Sequence, residues 1–181
     1  MTTDSLLAYL NGVYTTNGQL SVPVFDAGFV QGLTVAEQLR TFGGKLFRLE
    51  QHLQRLKHSL NVVGVPLPVR WDELAAIAET LVRTNHPRLQ EGDDLGLTIF
   101  VTPGSYASLA GDTPSHPTLC LHTQPLAFQQ WASKYVTGQA LVISAVRQIS
   151  SRYWPTELKC RSRRLARIQR KSFCLGCGGG N

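Results

Sequence analysis

A few side chains stand at spacings that could do chemistry. His52, Arg55 and Ser59 fall at i, i+3 and i+7, so on a helix they form a polar strip beside Leu49, Leu53, Leu56 and Leu60. An arginine on such a border can grip a phosphate or carboxylate with its planar fork of donors. The same position suits a solvated arginine paired with a nearby glutamate, and the strip alone leaves both open. In FDAGFVQG, Asp26 precedes Gly28 and Gly32, a setting in which the carboxylate holds a tight turn.

TVAEQLR alternates with a period of two. Val35, Glu37 and Leu39 share one face of a strand, and Ala36, Gln38 and Arg40 the other. Glu37 or Arg40 contacts a ligand if its face lines a cleft, and is an ordinary surface charge otherwise. Lys159 follows a β-rich run and the turn segment ISSRYWPTE. To attack an aldehyde a lysine must be neutral, which desolvation or a neighbouring cation brings about. Trp154, Leu158, Arg147 and Arg161 could supply both, and an exposed lysine is the alternative.

These residues need elements to position them. Asn11-Gly12 and Asn17-Gly18 between LLAYLNGVY and QLSVPVF predict hairpins. TVAEQLRTF, Gly43-Gly44 and KLFRL predict another hairpin. The leucines from Leu49 to Leu60, with Val63, predict a helix that Gly64 stops. A second helix is expected from near Asp72 to Pro87. LGLTIFVT, PTLCLHT and QALVISAV read as strands. The region after about 115 reads as the start of a second sheet, with the Gly/Ser/Pro-rich stretch from Pro103 to Pro117 as the nearest thing to a linker.

Length and composition bound what this scaffold can be. In 181 residues, 43% hydrophobic and 17% charged, there is material for a real core, which excludes a disordered chain. No apolar run approaches the roughly 20 residues of a membrane helix, and MTTDSLLAYL lacks the basic head of an export signal. A cytoplasmic protein without membrane contact is expected. The net charge of +6 is one-sided: all 12 acidic residues precede residue 161, whereas six of the 18 basic ones lie beyond residue 160. A neutral body with a basic tail argues against nucleic acid as the partner. Cys174 and Cys177 form a CxxC with neither a second pair nor a nearby His, so no metal site is expected.

Taken together and in order, these features resemble a known family. FDAGFVQGLTVAEQLRTFGGKLFRLEQHLQRLKHSL is similar to the N-terminal signature of the class IV aminotransferases, the fold type IV pyridoxal phosphate enzymes. That family includes branched-chain aminotransferases, D-amino acid transaminases and aminodeoxychorismate lyases. Asp26, Gly28, Gly32, Glu37, Arg40, Phe47, His52, Arg55, Leu56 and Ser59 carry the match. LTIFVTPG and VRQISSRYWPTELK resemble the family's next sheet signature and its lysine-bearing segment.

The resemblance implies an α+β, two-domain fold. Residues 1–125 would form the N-terminal domain, 126–160 the start of an incomplete second domain, and 161–181 an atypical tail. By the same resemblance Arg55 would bind the phosphate of pyridoxal 5'-phosphate (PLP), and Lys159 would be the catalytic lysine that joins the cofactor as a Schiff base. Glu37 and Arg40 are the substrate-binding candidates. The implied activity moves an amino group between an amino acid and a 2-oxo acid in a homodimer.

Past Lys159 the chain reads RSRRLAR where the family places an Asn or Tyr, and 161–181 holds no carboxylate to face the cofactor's ring nitrogen. The expectation is a truncated or frame-shifted member with impaired activity. The alternatives are a lyase of the same family and a non-catalytic N-terminal fragment that binds or dimerises.

Overall fold

The computed structural model of the protein describes residues 3–110, 116–141 and 143. These divide into two compact units, one reaching Leu126 and one starting at Ala127.

The first unit opens with β1 (Leu7–Leu10) and β2 (Val13–Thr16). Asn11 and Gly12 join them at φ 48° and 92°, the pair of left-handed residues that a type I′ hairpin turn demands. A short helix α1 (Ala27–Val30) leads to β3 (Val35–Phe42), which turns through Gly43-Gly44 into the two-residue β4 (Lys45–Leu46). Two 15-residue helices follow, α2 (Leu49–Val63) and α3 (Trp71–Asn85). Gly64 caps α2 at φ 70°, its N–H donating to the carbonyls of Asn61 and Leu60. Then come β5 (Leu95–Thr102), α4 (Ala107–Ala110) and β6 (Thr118–Pro125). All six strands form one antiparallel sheet in the order β2-β1-β6-β5-β3-β4.

The core lies between this sheet and the two helices. Leu56 and Leu60 of α2 and Leu74, Ile77, Ala78 and Leu81 of α3 meet Val35, Leu39, Leu97, Ile99, Val101, Leu119 and Leu121. Full burial of a leucine contributes about 2 kcal/mol. Asn85 ends α3 inside this core. Its amide nitrogen donates to the Leu7 carbonyl and the Thr123 hydroxyl, and its oxygen accepts from the Leu7 N–H, tying helix to sheet.

Four expectations are corrected. Asn17-Gly18 makes a 3-10 turn over Asn17–Gln19, because the Asn17 side chain donates to the carbonyls of Thr3 and Thr123. QLSVPVF forms no strand; its Phe25 carbonyl accepts from the Tyr106 N–H, and the next residue, Asp26, makes an isolated bridge to Ser105. PTLCLHT does not open a second sheet: β6 pairs with β5 over eight positions and with β1 on its other side. The stretch from Pro103 to Pro117 therefore connects two paired strands of one sheet rather than two sheets, and it is pinned where a Cβ on Gly104 would lie 1.8 Å from the His116 carbonyl oxygen.

In the second unit, α5 (Phe128–Thr137) is a helix that the sequence reading did not anticipate. Of the strand expected over 139–146, residues 139–141 and 143 carry no strand, and the rest lie outside the described residues.

Candidate functional site

Glu37 stands between Val35 and Leu39 on the buried side of β3, and its side chain is 0% exposed. A carboxylate there must be neutralised where it sits, since burying an unpaired charge costs several kcal/mol. The polar strip of α2 supplies the partners. Arg55 Nε donates to Glu37 Oε1 at 2.7 Å and Arg55 Nη2 to Oε2 at 2.6 Å, a two-point grip. His52 Nδ1 lies 2.8 Å from the same Oε2. An ionised carboxylate only accepts, so Nδ1 carries the hydrogen. The 3.2 Å approach of Arg55 Nη2 to that nitrogen is then packing rather than a bond. Ser59 completes the strip and is fully buried.

The cluster has a wet edge. The Arg55 side chain is 41% exposed although its partner is wholly enclosed. Hydrogen bonding to Glu37 pushes the guanidinium above its ordinary value, and the Glu37 charge adds to this against the opposing effect of burial. Arg55 is thus a fixed cation, held from below. Both oxygens of Glu37 are taken and none of its surface is exposed, so it has no reach to an external ligand. Arg40, of opposite parity on β3, donates from Nε to the Thr41 carbonyl and lies 3.9 Å over the Phe42 ring, with an ion-pair contact to Asp94 at 3.8 Å.

Two further buried carboxylates hold the scaffold around the strip. Asp26 caps α1 by accepting from the Gly28 N–H at 2.7 Å, and takes the hydroxyls of Thr102 and Thr118 at 2.8 and 2.9 Å. Gly28 is obligatory, because a Cβ there would meet Thr102 Cγ2 at 2.3 Å. Asp94, which the sequence reading did not single out, accepts from the Thr41 hydroxyl at 2.6 Å and from the amides of Gly43 and Gly44. Burial pushes its carboxyl up, but those hydrogen bonds and nearby His86 outweigh it and hold the group below the ordinary value.

On the other face of the sheet a cavity of about 360 Å³ is lined by Leu10, Phe100, Cys120, His122 and Gln124. Burial pushes the Cys120 thiol up to about 12, so it is no nucleophile at neutral pH. Among the described residues no group of three or more His, Cys, Asp and Glu is placed to hold a metal, and no helix is long and apolar enough to cross a membrane. Lys159 lies outside the described residues.

The family model for amino-transferase class IV matches residues 34–174, so the chain belongs to that family. The match spans β3 and α2 with Glu37, His52 and Arg55, and it runs past residue 160, where the sequence resemblance was expected to end. A Methanocaldococcus jannaschii protein named for branched-chain-amino-acid aminotransfer is 30% identical over 112 residues, 62% of this chain and 35% of that protein. A D-alanine aminotransferase of Staphylococcus aureus is 32% identical over 77 residues, 42% of this chain and 27% of its own length. The branched-chain aminotransferase of Thermoproteus uzoniensis, solved with norvaline, superposes with a TM-score of 0.72 at 20% identity, covering 96% of this chain and 57% of the other. The fold is therefore the α+β fold of the type IV aminotransferases. The chain spans about a third of the curated relatives' length.

Proposed function

We propose that this chain is the N-terminal part of a PLP-dependent aminotransferase that moves an amino group between an amino acid and a 2-oxo acid. The observation that carries the reading is Arg55, a half-exposed guanidinium locked by a buried carboxylate, in a chain of the class IV family. That donor set suits a phosphate ester, because a fixed planar cation offers paired N–H groups to its oxygens. Arg55 would hold the phosphate, and Lys159 would join the cofactor through its amine and move a proton at the substrate α-carbon. PLP, when bound, supplies the electron sink for that proton transfer. Arg40 is the remaining substrate-binding candidate.

A homodimer and a cytoplasmic setting belong to the same proposal. The test mixes the purified chain with PLP, reduces with borohydride and maps the pyridoxyl adduct by peptide mass. One stoichiometric adduct on Lys159, lost in Arg55→Ala, supports the reading; labels scattered over many lysines overturn it. Assays with branched-chain amino acids and with D-alanine then address the substrate.

A further inference from the structure

We propose that Glu37 is a positioning residue: it fixes the guanidinium of Arg55 so that the Nη1 edge faces outward as a pre-set phosphate clamp. The inference rests on the reading of Arg55 as the phosphate ligand and deepens it.

The geometry runs through the guanidinium itself. This group is planar and rigid, and its Nε/Nη2 edge is spent on the two oxygens of Glu37. Nη1 then points away from the carboxylate, and among the described residues it has no protein partner. The grip is asymmetric in burial, with Glu37 at 0% and Arg55 at 41% exposed, so the anchored side is inside and the offered side is outside. His52 completes the seat by donating to Oε2, which leaves the carboxylate one settled orientation. An exposed arginine without such a seat samples many rotamers and must be ordered when its ligand arrives. The pairing has an electrostatic cost, since Glu37 offsets part of the attraction for an anion. Two aimed N–H donors on a permanently charged group offset that loss at short range.

Glu37 acts through Arg55, so its effect must vanish when Arg55 is gone. The probes are pyridoxine 5'-phosphate and pyridoxine, which differ by the phosphate alone and carry no aldehyde for a lysine. The readout is the ratio of their dissociation constants for the 181-residue chain, with far-UV circular dichroism and Tm recorded for every variant. The wild-type chain is expected to favour the phosphate ester, and Arg55→Ala to erase the preference. Glu37→Gln is expected to cut the preference about tenfold, the size of one charge-assisted hydrogen bond lost. In the Arg55→Ala background, Glu37→Gln should change nothing further.

If Arg55→Ala erases the preference while Glu37→Gln leaves it whole, the positioning role falls and the phosphate reading stands. If the effects of the two variants add, Glu37 does not act through Arg55, and the proposal is overturned. A wild-type chain with no preference for the phosphate ester overturns both. Glu37→Asp keeps the charge one methylene short and carries the test should Glu37→Gln fail to fold: a reduced ratio supports the role, an unchanged one sinks it.

Discussion

Asp26 and Glu37 are both carboxylates at the centre of the first unit, 1% and 0% exposed, yet they are satisfied in opposite ways. Asp26 is held by neutral donors: one backbone N–H and two threonine hydroxyls, from segments up to 92 positions away. Glu37 is held by a cation that itself reaches solvent. A carboxylate satisfied by neutral dipoles ends its influence there and serves to staple distant segments. A carboxylate satisfied by a half-exposed cation transmits its position to the surface. The first reads as architecture, the second as support for an exposed charge.

The contrast can be broken by experiment. Asp26→Ala strips three donors of their acceptor and should cost about 3 kcal/mol in urea unfolding, with no selective effect on phosphate-ester binding. A selective binding loss in that variant would erase the distinction. Glu37→Gln should cost less, about 2 kcal/mol, because water screens the exposed side of Arg55 once the pair is broken. Its binding loss should exceed what that destabilisation explains.

Asp94 sharpens the comparison through pH. Its folded carboxyl titrates below the ordinary value of 3.8, so its stabilising contribution is complete above that value and lost as pH falls through the lower, folded one. The gap in Tm between wild type and Asp94→Asn, about 1 kcal/mol in stability at pH 7, should close below pH 3.8. A gap that persists to pH 2 would refute this account. The smallest effect is expected at the exposed pair of Arg70 and Asp72, where Arg70→Gln should leave Tm unchanged despite a 2.6 Å contact.

Much of this was legible from residue order. Asn11-Gly12 and Gly43-Gly44 announce their hairpins because few residues tolerate two successive left-handed conformations. The leucine spacing from Leu49 and the apolar run of α3 give both helices nearly to the residue. The sequence also sets His52, Arg55 and Ser59 in one strip and Glu37 on the apolar face of β3, but 18 positions separate Arg55 from Glu37 and no local rule joins them. The available signal was Glu37 itself, since a carboxylate among Val35 and Leu39 requires a partner, and the strip on α2 held the cations. Strand order is the larger loss. PTLCLHT shows that it is a strand but not with whom it pairs, and Asn17-Gly18 was overridden by tertiary contacts to Thr3 and Thr123.

The central place of β6 also bears on how the sheet is made. β1 and β2 are synthesised before the other strands, yet they join the rest of the sheet only through β6, and the Leu119 N–H that bonds Asn11 Oδ1 lies 108 positions downstream. During synthesis the opening hairpin must therefore wait, its edge unpaired, while β3, α2, α3 and β5 are made. Such long-range closure makes for slow folding and an aggregation-prone nascent chain. A ribosome stalled before residue 118 would carry two sheet fragments with no strand to pair between them, tied only through α3.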